Sequence, residues 1–162
     1  MDSLSWFAGG NFILGGFVTN NQTLINYGLS IADAGGAVYQ STATGLGGEY
    51  VTWTQDCDSD WGDGCDASSS MRISDGQYKL RPEVMETWYY AYRATKNPKY
   101  REWIWAAFQA ILTYCKTDSG FSAIQDVNKP GGGEKLDQME SFVFAEVMKY
   151  VYLVHLEVSD AV

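Results

Sequence analysis

Apolar residues recur at helical spacing along most of the chain, so the sequence predicts a mainly helical protein. The clearest stripe runs from Tyr100 to Cys115, in a helix that should open at Asn97 and Pro98. An earlier stripe starts at Leu24. The earlier stripe contains Tyr27, Gly28, Ile31, Ala32, Gly35, Val38 and Tyr39, and the later one Tyr100, Trp103, Ile104, Ala107, Phe108, Ile111, Leu112 and Cys115.

Three further segments are predicted to be helical. One begins with Pro82 at the first helical position, where the missing N–H costs nothing, and ends before Asn97. Residues 4–18 are rich in glycine, which weakens a helix and therefore indicates close packing against other backbone. The last helix should cover 137–156, and its apolar residues lie nearly all round, which predicts burial on most sides.

Short strands are predicted in the longer pieces between the helices. Candidates lie at 50–54 and 77–80, residues 120–127 alternate as a strand does, and 128–133 form a loop of proline and glycine. Helix pairs separated by long loops favour an all-α fold of antiparallel helical hairpins. The last helix has no partner in the chain, so we interpret the arrangement as part of an incomplete α/α ring.

Composition and charge exclude several functions. With 162 residues, of which 46% are apolar and 15% aromatic, the chain can form one packed domain. Twenty acids against eleven bases give a net charge of −9, which argues against a nucleic-acid partner. No membrane segment is expected, and residues 1–4 lack the features of a signal peptide. The protein is therefore cytosolic, or its leader lies outside this chain.

The cysteines and the single histidine suggest little chemistry. Cys57 and Cys65 bracket a polar loop and could pair in an oxidising compartment, whereas Cys115 is predicted to be a buried thiol. The acidic loop at 56–60 begins like a calcium-binding EF-hand but lacks its glycine and its final glutamate. With His155 alone, neither a Ser-His-Asp triad nor a zinc site is indicated.

Paired carboxylates near an arginine form the most informative cluster. Glu83 and Glu86 share one face of a first helical turn, Arg81 precedes them, and aromatic residues follow at 88–90. A sugar site uses such residues for hydroxyl binding, proton transfer and stacking. Acids in a first turn also interact favourably with the helix dipole alone. The residues themselves leave both interpretations open, and the same holds for Glu140.

Five segments together resemble glycoside hydrolase family 47, the class I α-1,2-mannosidases, and particularly their secreted fungal members. The likeness covers essentially the whole chain, and the five segments follow one another in the family's order. Any one of them would be a weak signal. They are residues 1–10, 44–49, 80–86, 119–127 and 139–150.

The resemblance implies a fold and an activity. The family fold is an (α/α) barrel of seven helical hairpins with a few short β-hairpins in its loops, and residues 1–162 match the C-terminal part of that single catalytic barrel. Family members remove α-1,2-linked mannose from high-mannose N-glycans, inverting the anomeric centre, with a bound Ca²⁺ ion. This implies a place in the secretory pathway (ER or Golgi) or outside the cell, and the remaining part of the barrel as partner.

The resemblance also assigns roles to particular residues. Glu83 matches a catalytic carboxylate, the favoured general base that acts on water, and Arg81 matches a residue of the sugar subsite. The family's calcium-binding threonine falls beyond Val162, so no direct metal ligand is expected in this chain. Three acids match residues that hold sugar hydroxyls or calcium-bound waters, namely Glu49, Glu86 and Glu140.

Departures from the family pattern suggest alternatives. The general acid and the catalytic aspartate belong to the family's N-terminal part, so this chain alone should be inactive. Ser3 replaces a usual histidine, Leu136 a usual aromatic residue, and Trp6 and Gly35 two cysteines that usually pair. These changes motivate a second hypothesis, a mannose-binding or glycoprotein quality-control protein on the same scaffold. A third is a purely structural α/α module in which the acids are incidental.

Overall fold

The protein is mainly helical, as predicted. The structure, a computed structural model, describes residues 1–53 and 71–156, so Cys57, Cys65 and the acidic loop at 56–60 lie outside the described residues. The helices are α1 (Ala8–Val18), α2 (Gln22–Gln40), α3 (Glu83–Thr95), α4 (Pro98–Ala110) and α5 (Met148–His155). A 3₁₀ turn at Ser3–Phe7 precedes α1, and π-helical turns at Ile111–Cys115 and Val143–Val147 extend α4 and α5.

Two small antiparallel hairpins lie between the helices. β1 (Tyr50–Trp53) pairs with β2 (Met71–Asp75), and β3 (Ala123–Ile124) pairs with β4 (Lys135–Leu136). The strand predicted at 77–80 is wrong, because only a single bridge forms there, and the strand predicted at 120–127 shrinks to the two residues of β3. A buried Leu80 with a φ of 60° breaks the extended backbone, since strands require negative φ.

Side-chain caps fix where the helices begin. The Asn21 side chain accepts hydrogen bonds from the first amides of α2, and the Asn97 side chain does the same for α4. Pro82 is the residue before α3 rather than its first helical residue, so the helix starts one position later than predicted. Lys96 ends α3 in the left-handed conformation.

The core lies where α2, α3 and α4 meet. Trp88 of α3 is its centre: the ring is 1% exposed, and its Nε1–H donates to the Ala32 carbonyl over 2.9 Å. Tyr39 packs edge-to-face on it at 5.1 Å between ring centres, and Trp103 packs at 5.7 Å. The predicted apolar stripe of α4 is confirmed, because Tyr100 through Cys115 supply its buried side.

Glycines allow α1 and α2 to pack backbone against backbone. A Cβ on Gly28 would lie 2.5 Å from the carbonyl oxygen of Gly9, and one on Gly16 would lie 2.8 Å from the amide nitrogen of Ile25. The predicted close packing of the glycine-rich segment is therefore confirmed for this pair of helices. Gly15 is the exception, because a Cβ there would meet nothing within 4 Å.

The last helical segment differs from its prediction. It starts at residue 143 rather than 137, and only one of its faces is buried. Phe144 is 57% exposed and Tyr152 is 65% exposed, because α3 and α4 pack on one side only. Tyr27, expected in the buried stripe of α2, is likewise 55% exposed. Among the described helices, none combines the length and apolarity that a bilayer crossing requires.

Two alanine substitutions test the packing of α1 on α2. Gly28→Ala should destabilise the fold by about 1–3 kcal/mol, because the new methyl group meets backbone that has no room to give. Gly15→Ala should instead stabilise it by about 0.5–1 kcal/mol through helix propensity. Urea unfolding of both variants measures the difference. Equal effects would show that the two helices do not pack this closely.

Candidate active site

A sharp turn between an extended segment and α3 presents the central residues. Tyr78 exchanges two backbone hydrogen bonds with Ile124, each 3.1 Å long, which fixes the end of the extended segment. Leu80 then turns the chain with positive φ, and α3 starts three residues later at Glu83. Arg81 and Glu83 are therefore brought close together by one tight turn.

The predicted subsite residues Arg81 and Glu49 form an ion pair in which the Glu49 carboxylate is buried and the Arg81 side chain is partly exposed. Nε of Arg81 lies 2.9 Å from both carboxylate oxygens of Glu49, and Nζ of Lys79 lies 3.8 Å from one of them. Glu49 is only 4% exposed, so its charge depends on these cations. The Phe142 ring faces the guanidinium carbon of Arg81 at 5.9 Å, a cation–π contact.

Close backbone packing fixes the position of Glu49. A Cβ on Gly48 would lie 2.4 Å from the carbonyl oxygen of Asp75, so only glycine allows the chain to run this near β2. The carbonyl of Glu49 accepts from the amide of Ser3 over 2.8 Å. The N-terminal segment and β2 therefore hold the residue from two sides.

Glu83 has the environment of a proton acceptor. Its Oε2 is buried and, among the described residues, lacks a hydrogen-bond partner. The pKa of Glu83 is raised to about 7, and burial is the main cause. Its own backbone amide and the charge of Arg81 act to lower this pKa, whereas the charges of Glu146 and Glu49 act to raise it. A carboxylate that titrates near neutrality and has a free oxygen is suited to general-base chemistry.

Glu86 lies one turn further along α3 and contacts a tyrosine of the last helix. Burial is the main cause that raises the pKa of the Tyr150 hydroxyl, followed by its hydrogen bond to Glu86 and by the nearby charge of Glu146. Tyr90 is also close to Glu86, and burial with that charge raises its pKa too. The raised pKa keeps the hydroxyl of Tyr150 protonated beside the Glu86 carboxylate.

Glu140 is placed differently from the other predicted acids. It lies before the last helical segment rather than on it, and its carboxylate accepts a hydrogen bond from the side chain of Gln138. Among the described residues, the interactions that join the other acids do not include it. Its neighbour two residues on, Phe142, does contact Arg81. The structure thus brings Glu49, Arg81, Glu83 and Glu86 together.

Three site residues were absent from the sequence-based set: Glu146, Phe142 and Tyr150. The charge of Glu146 acts on both Glu83 and Tyr150, and therefore connects Glu83 with Glu86. The four residues Glu49, Glu83, Glu86 and Glu146 form the acid cluster of this site. Glu146 and Tyr150 are four residues apart, so they share a helix face. The sequence signal that could have identified Glu146 is the presence of an acid on a largely apolar helix.

Comparison with known proteins identifies the family. Residues 1–161 match the family model described as Glycosyl hydrolase family 47. The chain belongs to glycosyl hydrolase family 47. This family 47 chain is 48% identical over 155 residues to a probable mannosyl-oligosaccharide alpha-1,2-mannosidase 1B of Aspergillus niger, covering 95% of this chain and 30% of that protein. The mannosyl-oligosaccharide alpha-1,2-mannosidase of Penicillium citrinum is also 48% identical, with the same coverage.

A solved structure shows the same fold. The alpha-1,2-mannosidase from Trichoderma reesei superposes with a TM-score of 0.85 at 40% sequence identity. The match covers 99% of this family 47 chain and 34% of that one. The chain therefore spans about one third of the length of the relatives it matches.

A substitution tests the unusual titration of Glu83. Between pH 4.5 and about 7, the folded state holds the Glu83 proton more tightly than the unfolded state, so this group lowers the free energy of unfolding as pH rises through that window. Glu83→Gln removes this dependence. The stability of the variant relative to the parent should therefore rise between pH 4.5 and pH 8.

Urea unfolding at several pH values measures this difference, and Glu102→Gln, on the exposed surface of α4, serves as the control. The control should leave the pH dependence of the parent unchanged. A difference between Glu83→Gln and parent that does not vary with pH would contradict the raised pKa.

The buried ion pair predicts a large cost for losing Arg81. Arg81→Gln leaves the Glu49 carboxylate buried, with Lys79 as its remaining cation among the described residues, so the variant should lose about 3 kcal/mol of stability, the lower end for a broken buried pair. Lys99→Gln removes the partner of Asp33 in an exposed pair and should cost less than about 1 kcal/mol. Thermal unfolding compares them; similar losses would mean that Glu49 is solvated.

Proposed function

We propose that this chain forms part of the active site of an inverting glycosidase that releases α-1,2-linked mannose from high-mannose N-glycans. The observation that carries the proposal is Glu83, a carboxylate with a pKa raised to about 7 and with a buried oxygen that has no hydrogen-bond partner within residues 1–53 and 71–156. The ion pair of Arg81 and Glu49 lies beside it. The names of the two fungal relatives supply the linkage and the substrate class.

Inverting hydrolysis needs two separated carboxyl groups. In the proposed reaction, the Glu83 carboxylate accepts a proton from a water molecule while the water oxygen bonds to the anomeric carbon. A carboxylic acid on the other side of the sugar gives its proton to the glycosidic oxygen, whose bond to that carbon breaks. Glu83 is the base, since its free oxygen can accept the proton, and the acid comes from a part of the enzyme outside this chain.

The surrounding residues fit the binding of a hexose. Carboxylates accept hydrogen bonds from sugar hydroxyls, and the guanidinium of Arg81 donates to them. Glu86, one helical turn from Glu83, provides an acceptor, and the hydroxyl of Tyr150 from the last helix lies beside Glu86. The ring of Phe142 provides an apolar surface on which the carbon face of a sugar can pack. Glu140 belongs to the proposed site on resemblance alone.

We place this chain in a barrel of seven helical hairpins, as its C-terminal part, with the rest of the barrel as partner. Exposed apolar side chains at both ends of the chain support this arrangement, since monomeric proteins rarely leave such side chains uncovered in groups. In α1, Leu14 is 41% exposed and Phe17 is 54% exposed; near the other end, Phe144 and Tyr152 are more exposed still. The proposed location is the secretory pathway or the cell exterior.

Calcium remains part of the proposal only for the complete barrel. Carboxylate oxygens are suitable ligands for Ca²⁺, yet within residues 1–53 and 71–156 no three acidic, cysteine or histidine side chains converge to hold a metal ion. The proton transfer assigned to Glu83 does not involve the ion.

No observation favours the lectin alternative, and the relatives carry the names of hydrolases. A chimera tests hydrolysis directly. In the Aspergillus niger relative, the matching segment is replaced by this chain, and mannose release from an α-1,2-linked mannobiose is measured with calcium present. The chimera should be active, and Glu83→Gln should lower its turnover by at least about 100-fold, as loss of a general base does.

Glu102→Gln in the same chimera controls for the loss of a glutamate charge and should leave turnover unchanged. The isolated chain should release no mannose, because the proposed general acid is outside it. A chimera that binds mannobiose without turnover, unaffected by Glu83→Gln, would favour the lectin function instead. Calcium-dependent mannose release by the isolated chain would contradict the division of the two acids.

A further inference from the structure

We propose that Tyr78 is a positioning residue that holds Arg81, and through it Glu49, in place by means of the Tyr78 hydroxyl. The restraint on Arg81 does not depend on a substrate, whereas its importance for catalysis rests on the proposed function. Tyr78 is 1% exposed and lies in the extended segment before the turn into α3.

The turn that carries Arg81 has an unfavourable backbone conformation. Leu80 adopts a φ of 60°, which costs a residue with a branched side chain roughly 1–2 kcal/mol. Such a conformation persists only where the surroundings hold it. One restraint is the Leu80 side chain, which is fully buried; another is the pair of backbone hydrogen bonds between Tyr78 and Ile124.

The Tyr78 hydroxyl supplies the restraint on the far side of the turn. It donates to the carbonyl oxygen of Arg81 over 3.4 Å, so one side chain bridges the turn from its first residue to its last. The Tyr39 hydroxyl lies beside it and is also buried. Burial raises the pKa of Tyr78 well above its ordinary value, so the hydroxyl is protonated and can donate at neutral pH.

Arg81 transmits this restraint to the acids. Its Nε–H is shared between the two oxygens of Glu49, a geometry that tolerates little movement of the guanidinium. Its positive charge also lowers the pKa of Glu83, against the effects of burial, Glu146 and Glu49. A turn that relaxes would therefore weaken the contact with Glu49 and raise the titration midpoint of Glu83.

The test removes only the hydroxyl, in the full 162-residue chain and without substrate. Tyr78→Phe is compared with Tyr100→Phe, which removes the hydroxyl of another buried tyrosine. The Tyr100 hydroxyl donates a hydrogen bond of 2.9 Å to Asp33, and this bond does not involve the acid cluster. Nitrogen-15 NMR follows hydrogen exchange of the Arg81 Nε–H, carbon-13 NMR follows the Glu83 carboxyl through its titration, and urea unfolding gives the global stability.

Tyr78→Phe should speed exchange of the Arg81 Nε–H by about twofold beyond any change in the global unfolding constant, the lower end for one hydrogen bond, because a length of 3.4 Å makes this bond a weak one. It should also move the Glu83 midpoint to higher pH. Tyr100→Phe should leave both signals unchanged after the same correction. A folded Tyr78→Phe variant whose Arg81 and Glu83 signals match the parent would overturn the proposal.

A second measurement applies if Tyr78→Phe does not fold. In the parent chain, the Tyr78 hydroxyl proton should appear as a slowly exchanging resonance with a cross-peak to the backbone of the turn at 80–82. A hydroxyl proton that exchanges rapidly with water would overturn the proposal. Because neither measurement uses a sugar, failure here leaves hydrolysis by the chimera as a separate question.

Discussion

The ion pair between Arg81 and Glu49 is the interaction on which the acid cluster depends. Glu49 is almost fully buried, and a buried carboxylate without a cation would be neutralised or would destabilise the fold. The guanidinium, positioned by the turn before α3, removes that conflict and lies close enough to Glu83 to lower its pKa. Without Arg81, the neighbouring carboxylates would repel one another, and burial would raise the pKa of Glu83 without the opposing effect of the guanidinium charge.

This electrostatic arrangement needs a rigid support, which the aromatic core provides. Trp88, two residues beyond Glu86 on α3, is fixed by a hydrogen bond to α2 and by rings from α2 and α4. The glycines of α1 and α2 bring those two helices into backbone contact. Because α3 packs against all of these elements, its first turn keeps a constant orientation, and the carboxylates of Glu83 and Glu86 keep theirs.

Helix positions and much of the site followed from the sequence, since apolar periodicity and the caps at Asn21 and Asn97 are local signals. The strand predicted at 77–80 failed because tertiary burial of Leu80 overrides local alternation. The sequence around 137–142 also contains no local signal that predicts the later start of the last helical segment. Glu146 joined the cluster unforeseen, because its partners lie far away in sequence and only packing brings them near.

The raised pKa of Glu83 is informative because its position should lower it. A carboxylate in the first turn of a helix is stabilised in its charged form by the helix dipole, by roughly 0.3–1 kcal/mol, and Arg81 acts in the same direction. Burial outweighs both effects, and within the part of the chain that the structure describes one oxygen of Glu83 has no hydrogen-bond partner. Since folded proteins seldom leave a buried polar atom unpaired, this arrangement costs stability and is typical of a residue that binds something else. A water molecule awaiting deprotonation is the occupant that an inverting glycosidase requires at such an oxygen.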